Sequence, residues 1–271
     1  SVDKVNLSFL ANASYVKNEI KNLGNQTGYI DKESLPTLGT VSRNENGYPI
    51  GYFFGYKAIG VFQTQEEIDS YISPATGKPI QPNAAPGDTK FEDLNGDGVI
   101  SDDNEDRTMI GKPNPDWMVG LTVAADWNGF DLSAFFQGSF GADVFDALRR
   151  YELAAVNYTS DALERWTGPG TSNSMPRIVL GDTPKNFRPS TLLVHDASFL
   201  RLRNLQVGYT LPAQLTRKAY IQRLRFYASF DNLLTITGYK GMDPEIGSTM
   251  GIDKGVYPQA RVYTFGLNLT F

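Results

Sequence analysis

Cysteine is absent from this 271-residue sequence, histidine occurs once, and no hydrophobic run reaches about 18 residues. Without cysteine, the chain has no disulfide, no thiolate nucleophile and no cysteine-ligated zinc. Without a long hydrophobic run it cannot cross a membrane as a helix, because such a helix must span about 30 Å of hydrocarbon. Crossing as a β-barrel remains open, since the hydrophobicity of barrel strands alternates along the chain.

A concentration of positive charge is also missing. Lys and Arg number 25 against 30 Asp and Glu, which gives a formal net charge of -5. Because nucleic-acid binding requires a basic patch or stripe, we expect no nucleic-acid partner. The first residues lead directly into a strand pattern, without the charged and hydrophobic regions of a signal peptide. We therefore expect either a mature N-terminus or a piece of a longer protein.

What the sequence does contain is alternation of hydrophobic and polar residues with a period of two, which predicts β-strands with one hydrophobic face. The pattern occupies six segments: residues 4–18, 116–127, 129–141, 198–210, 222–235 and 259–271. In the fourth segment Leu205, Val207 and Tyr209 are alternate residues in step with Arg201 and Arg203, so strict alternation would put all five on one face. This parity predicts that the strand extends beyond the hydrophobic band.

The connections between these segments are short and long in turn. Asp126–Gly129 contains the Asn-Gly pair of a tight hairpin, and Leu211–Ile221 is also short. The long connections are residues 19–115, 142–197 and 236–258. Short periplasmic turns and long extracellular loops are typical of outer-membrane barrels, so we expect the long connections to be extracellular. Within the first, the run Gly51–Tyr56 predicts either a loop hairpin or a crossing whose partner strand is not evident.

The predicted fold class is all-β: an antiparallel transmembrane β-barrel segment with long extracellular loops. Six strands cannot close a barrel, because the smallest bacterial barrels have about eight. Open edges in lipid would leave backbone groups unpaired at several kcal/mol each, so the missing strands must come from another polypeptide segment. A soluble all-β protein is the alternative. In the barrel, seven side chains are expected to face lipid: Phe9, Val119, Leu121, Phe136, Phe226, Phe265 and Leu267.

Ordered motifs then point to a family. They are Gly55–Ala58, Gly60–Gln63, Gly87–Ile100, Asp106–Thr108, Ile110–Asp116, Phe135–Gly138, Ser198–Leu205, Gly208–Pro212 and Asp231–Leu233, followed by Tyr257–Phe271. In this order the motifs closely resemble the SusC/RagA family of TonB-dependent transporters from Bacteroidota outer membranes. The resemblance covers nearly the whole chain. It departs from the family pattern by two additional acidic-loop residues before Asp106.

The resemblance implies a 22-stranded barrel with an N-terminal plug, energised by TonB, that imports glycans or peptides under a SusD-like lipoprotein. This chain would be the C-terminal part of that barrel, in the outer membrane of a Gram-negative bacterium. Its implied partners are the remaining plug and barrel segment, the SusD-like lipoprotein, outer-membrane lipid, and TonB through the absent N-terminal part. No enzymatic activity is implied. A C-terminal aromatic residue, here Phe271, is the signal for assembly in barrels that this one resembles.

One motif suggests a metal. Residues 93–101 match the first nine positions of an EF-hand calcium loop, with side-chain oxygens at positions 1, 3 and 5 and glycine at position 6. The candidate ligands are Asp93, Asn95, Asp97, the Val99 carbonyl, Ser101 and Asp106. Position 12 is Asn104, so a bidentate carboxylate would have to come from Asp102, Asp103, Glu105 or Asp106. The alternative is an acidic loop without metal, and bound calcium would stiffen the long connection.

No catalytic residues are predicted. The acids of Asp102–Asp106 are adjacent loop residues rather than a rigid pair, and His195 is better interpreted as a loop residue than as a catalytic base. Five aromatic residues of the long connections could stack on sugar rings or simply pack: Tyr151, Tyr158, Trp166, Tyr239 and Tyr257. Helical spacing within Asp143–Val156 predicts a short helix. Two other functions compete with transport, a calcium-stabilised carbohydrate-binding β module and a secreted hydrolase.

Overall fold

The computed structural model describes residues 5–102, 104–149, 157–245 and 250–271. Two short α-helices lie in these ranges, α1 (Gln65–Ser70) and α2 (Ala213–Thr216). The strands of the same ranges are β1 (Asn6–Tyr15), β2 (Tyr29–Leu35), β3 (Gly39–Glu45), β4 (Tyr52–Tyr56), β5 (Ala58–Val61), β6 (Thr89–Phe91), β7 (Arg107–Gly111), β8 (Trp117–Trp127), β9 (Phe130–Phe140), β10 (Asp143–Asp146), β11 (Val194–Asp196), β12 (Phe199–Thr210), β13 (Arg223–Thr237), β14 (Ile252–Asp253) and β15 (Val262–Thr270). In the described ranges, no helix is long and hydrophobic enough to cross a membrane.

Six long strands form one antiparallel sheet in the order β1-β8-β9-β12-β13-β15. They coincide with the six alternating segments of the sequence, which confirms the prediction of a single sheet. The tight turn between β8 and β9 contains Asn128 at φ 46° and Gly129 at φ 86°. Two successive positive φ values match the twist of a hairpin, and this explains the Asn-Gly pair.

The register of the sheet separates a hydrophobic face from a polar face. Leu121 lies between Ala11 and Phe136, and Phe226 lies opposite Leu267. All seven side chains that were predicted to face lipid share this hydrophobic face, and Phe265 is 76% exposed. Contiguous exposed hydrophobic area on this scale marks an interaction surface rather than the surface of a soluble monomer. A soluble sheet would bury these side chains in a closed core, whereas five of the seven are exposed and Val119 and Phe136 are half-buried, which favours the barrel.

A β-bulge in β12 changes the meaning of the parity seen in the sequence. Between Leu202 and Asn204, β12 has one residue more than β9, which is Arg203, whereas β13 has one residue more than β12 over the same interval. An added residue reverses the alternation. Arg201 therefore pairs with Gln137 and Thr235 on the polar face, whereas Leu205 and the following alternate residues lie on the hydrophobic face. The expectation that one parity runs through the strand past the hydrophobic band was wrong for this reason.

The three long connections all leave the same end of the sheet and pack together into what we call the loop body, the described part of residues 16–116, 141–198 and 238–261. It contains the sheets β2-β3-β4-β7, β11-β10-β14 and β5-β6. β10 pairs with β14 of a different connection. One hydrophobic core unites side chains from all three connections: Leu35, Val41, Phe53, Phe145, Leu193 and Ile252. The long connections are thus folded elements with a shared core.

Two local predictions are decided within the loop body. The run Gly51–Tyr56 forms the buried strand β4, which pairs with β3 in a hairpin and does not cross the sheet. The predicted helix over 143–156 was wrong at its start, because Asp143–Asp146 is the strand β10 between β11 and β14. Residues 150–156 lie outside the described ranges.

β1 and β15 are the two edges of the six-stranded sheet. In the described part of the chain, neither edge pairs with the other or with a further strand. That these edges pair with other strands of a longer protein, rather than with each other, stays a prediction. Phe271 follows β15 and is exposed, and its role as an assembly signal stays a prediction.

Candidate functional site

The acidic loop of residues 93–106 winds around its own side chains. Three of these side chains accept hydrogen bonds from backbone N–H groups that follow closely in sequence: Asp93 from Gly96 (2.8 Å) and Gly98 (2.9 Å), Asn95 from Asp97 (3.0 Å), and Asp97 from Val99 (2.8 Å). Such bonds are the reason that Asp and Asn favour turns. The first, third and fifth positions of the calcium-loop motif are therefore ordered within one turn structure.

Asp106 closes this loop. Its side chain is fully buried, and its two oxygens accept hydrogen bonds from Leu94 N (3.1 Å) and Ser101 N (3.0 Å). These two amides lie seven positions apart in the loop, and one carboxylate holds both. Charge-assisted hydrogen bonds of this kind are stronger than neutral ones. Asp106 thus has a structural role that is independent of any metal.

A different acid lies beside the other candidate ligands. Asn95 Nδ2 donates to Glu105 Oε2 at 2.9 Å and to Asp97 Oδ2 at 3.0 Å, which brings those two carboxylates to the same amide. Among the described acids of the loop, Glu105 is thus the one that hydrogen-bonds to Asn95 together with Asp97. Within the described ranges, no group of three or more His, Cys, Asp or Glu side chains has metal-binding geometry. The oxygen donors that fit calcium here include an amide and a backbone carbonyl.

Replacing Asp106 by asparagine is expected to loosen the loop. The substitution turns one accepting oxygen into an N–H₂ group that faces a backbone N–H, and it removes the charge from the remaining bond. Hydrogen bonds to charged groups contribute about 1.5–3 kcal/mol. Faster hydrogen exchange at the Leu94 and Ser101 amides measures the loss of these hydrogen bonds. Asp116→Asn, immediately before β8, is the control. Unchanged exchange at both amides would contradict the closing role.

Arginine and aromatic side chains form a stacked ladder behind this loop. Guanidinium carbons lie over ring centroids in succession: Arg43 over Tyr29 (4.0 Å) and Phe54 (3.6 Å), Arg107 over Phe54 (4.3 Å) and Tyr56 (5.7 Å), and Arg188 over Tyr56 (4.7 Å) and Phe91 (4.9 Å). Cation–π contacts of this kind are favourable within about 6 Å. The ladder connects β2, β3, β4, β6 and β7 to the connection 142–197. Sequence reasoning missed it, and the only local signal was the aromatic run of β4.

The aromatic residues that were predicted to contact a ligand differ in their burial. Trp166 is half-buried, and its Nε1 donates to Gln63 Oε1 at 3.2 Å. Tyr239 is buried, and its hydroxyl donates to Asp253 Oδ2 at 2.7 Å. Both rings therefore pack within the loop body. Tyr158 and Tyr257 are exposed, and Tyr151 lies outside the described residues.

A polar cavity of about 530 Å³ opens between two of the long connections and the start of β5. Five charged or titratable side chains line it: Arg149, Asp161, Glu164, His195 and Lys240. Arg149 pairs with Asp146 at 3.0 Å and also with Asp161. A mixture of donors and acceptors in a concave space suits hydroxyl and amide groups of a small ligand.

His195 lies on the wall of this cavity. Its Nε2 is buried without a hydrogen-bond partner, and Asp146 Oδ2 is 3.8 Å away. Burial, and then the nearby charge of Arg149, lower the pKa of His195 below its usual value. The imidazole is therefore neutral near pH 7. His195 lies in the short strand β11, opposite Val144, so it is a strand residue of the loop body rather than the loop residue that the sequence suggested.

Two arginines fasten the last long connection to the polar face of the sheet. Arg201 is 2% exposed; its Nε donates to Thr235 Oγ1 (2.9 Å), Nη1 to Glu245 (3.0 Å) and Nη2 to Asp243. Arg203 donates to both oxygens of Glu245 at 2.6 Å. We call this group the arginine clamp. The sequence offered a signal, two arginines in a hydrophobic strand, but not their partners.

Comparison with known proteins identifies relatives of this chain. No family model matches it. It is 34% identical over 236 residues to the TonB-dependent receptor P3 of Formosa agariphila and covers 22% of that protein. It is 30% identical over 263 residues to the TonB-dependent receptor SusC of Bacteroides thetaiotaomicron and covers 24% of it. These alignments include 83% and 96% of this chain, which spans about a quarter of the length of such relatives.

Solved structures give the same result. A RagAB peptide transporter structure aligns with 98% of this chain at a TM-score of 0.74 and 28% identity, and this chain covers 27% of it. The RagAB peptide importer in its open-open state aligns at a TM-score of 0.71 and 27% identity. The named relatives are receptors and transporters, which agrees with the prediction that this chain is not an enzyme. The chain belongs to the SusC/RagA family of TonB-dependent receptors, as an antiparallel β-barrel segment.

Proposed function

We propose that this chain is the C-terminal part of the barrel wall of a TonB-dependent outer-membrane transporter, which imports oligosaccharides or peptides. The observation that carries the proposal is the six-stranded sheet with one exposed hydrophobic face and two unpaired edges. A hydrophobic band of this kind suits contact with outer-membrane lipid. The edges suit pairing with the remaining strands of a 22-stranded barrel that surrounds the plug.

The position of the loop body supports a role in substrate capture. All long connections leave one end of the sheet, and the short turns lie at the other. If the short turns are periplasmic, the loop body with its polar cavity faces the medium outside the cell. A SusD-like surface lipoprotein would cover it, and TonB would act through the N-terminal part of the full-length protein. The alternative of a self-contained carbohydrate-binding module leaves the hydrophobic face without a function.

An uptake experiment tests the proposal. Cells that produce the full-length protein are expected to accumulate labelled oligosaccharides or peptides from a mixed pool, and cells without it are not. A protonophore should abolish accumulation, because TonB-dependent import is energised. Surface binding at low temperature, without accumulation, distinguishes capture from import. Equal accumulation by both cell types, or accumulation that resists the protonophore, would contradict a TonB-dependent transporter.

We further propose that calcium binds the acidic loop through Asp93, Asn95, Asp97, the Val99 carbonyl and a loop carboxylate. The ordered turn around these oxygens supports this assignment. In the full-length protein, calcium is expected to raise the melting temperature relative to EDTA, and to slow hydrogen exchange within residues 93–106. Asp97→Asn should reduce both effects, whereas Asp69→Asn, on the exposed helix α1, should not. An equal response of both variants to calcium would place the ion elsewhere.

A further inference from the structure

A second cavity, apart from the polar one, lies against the acidic loop. Its volume is about 660 Å³, within the usual range for small-molecule sites. Three segments that are distant in sequence enclose it: residues 76–84, 98–100 and 183–188. Gly98 has φ +89°, and a Cβ atom there would lie 2.7 Å from Ser73 Oγ. The acidic loop therefore approaches Ser73 too closely for a side chain at Gly98, and it forms one wall of the cavity.

The cavity combines hydrophobic walls with basic groups. The walls are formed by Pro79, Ile80, Pro82, Val99, Ile100 and Pro184. Three cations join them, Lys78, Lys185 and Arg188. Among the described residues, Asp88 is the acid of the lining, and Arg177 already binds it through Nε at 2.6 Å and Nη2 at 3.1 Å. Asp102, beside the lining, forms an ion pair with Lys185. Lys78 and Arg188 therefore leave the described lining with an excess of positive charge.

Arg188 is held in a fixed orientation at this wall. Its guanidinium lies on the faces of Tyr56 and Phe91, at the end of the arginine and aromatic ladder. Its Nε donates to the Lys185 carbonyl at 3.2 Å. Nη1 is buried and makes no hydrogen bond, since Asp102 Oδ1 is 3.8 Å away. A buried guanidinium N–H without an acceptor is costly, and a carboxylate in reach of it would form a strong charge-assisted bond.

We infer that this cavity binds the C-terminal carboxylate of a short peptide whose last side chain is hydrophobic. Arg188 receives the carboxylate, and the proline and isoleucine walls receive the side chain. A neutral oligosaccharide offers neither group, so it would not use these features. The inference rests on the proposed function, because a substrate must reach the loop body from outside the cell.

The test uses purified full-length protein in detergent and two probes. They are an N-acetylated tripeptide that ends in leucine, as the free acid and as the C-terminal amide. Calorimetry is expected to show about tenfold tighter binding of the acid, because only the acid pairs with Arg188. Arg188→Gln should remove the difference between the probes. Lys254→Gln, an exposed lysine of the loop body that pairs with Glu33, should retain it.

The comparison of the acid with the amide needs no variant, so it tests the inference even if Arg188→Gln does not fold. Equal affinity of the two probes in the unaltered protein would overturn the inference. Binding of a uronate-capped oligosaccharide, without binding of the peptide acid, would overturn the peptide assignment. Failure of the uptake experiment is a separate result, because it contradicts transport and leaves the binding measurement unaffected.

Discussion

Replacing Arg201 by methionine is expected to destabilise the full-length protein by about 3–5 kcal/mol, the usual cost of leaving a buried charge without its partner. Asp243 is buried and pairs with Arg201, and Glu245 also pairs with Arg201. In the described part of the chain, the lost guanidinium would leave the buried carboxylate of Asp243 with only the backbone N–H groups of Glu245 and Gln259 as donors. Unfolding by urea or heat, with the protein in lipid or detergent, measures this loss of stability.

A double substitution separates the clamp from simple packing. Arg201→Met combined with Asp243→Asn should recover part of the loss, because the remaining partner no longer carries a buried charge. Arg261→Met replaces an exposed arginine near the same connection and should have little effect. If Arg201→Met and Arg261→Met cost the same, the clamp does not fasten the last long connection.

Replacing Leu121 by arginine is expected to destabilise the barrel in a bilayer by about 2–4 kcal/mol, the cost of a cation on the lipid face near the midplane. Leu121 lies in the middle of β8 on the hydrophobic face, between Ala11 and Phe136. Folding equilibria in lipid vesicles, or the amount of protein that reaches the outer membrane, report this cost.

The neighbouring residue provides a matched control. Thr122 lies on the opposite, polar face of β8, where it pairs with Leu10 and Phe135. Thr122→Arg introduces the same charge one residue away, and should be tolerated because that face is turned from lipid. Equal destabilisation by Leu121→Arg and Thr122→Arg would argue against a lipid-facing role for the hydrophobic face.

The sheet could be predicted because its signals are local. Alternation with period two assigns each residue to a face, and the Asn-Gly pair specifies the turn that joins β8 to β9. The order of the EF-hand-like residues in 93–101 is local as well, and the hydrogen bonds of that turn involve near neighbours. Family resemblance added the barrel and transport, which periodicity alone left open against a soluble sheet.

The bulge at Arg203 shows where local pattern fails. A single additional residue moves Arg201 to the polar face, and sequence parity cannot locate it. The predicted helix at Asp143 failed for a related reason. Its helical spacing was outweighed by pairing of β10 with β11 and β14, which come from later parts of the chain.

The sequence by itself determined the six strands, their faces except in the first part of β12, the short turn and the composition of the acidic loop, because each depends on residues close in the chain. Only the tertiary structure decided that the long connections fold into one body and that Asp106 closes the acidic loop. It alone also placed Arg188 against the cavity and Arg201 against Asp243. The contacts of Leu94 with Asp106, Arg201 with Asp243 and Tyr56 with Arg188 join residues 12, 42 and 132 positions apart. Their partners are chosen by packing and charge in three dimensions, which no local pattern encodes.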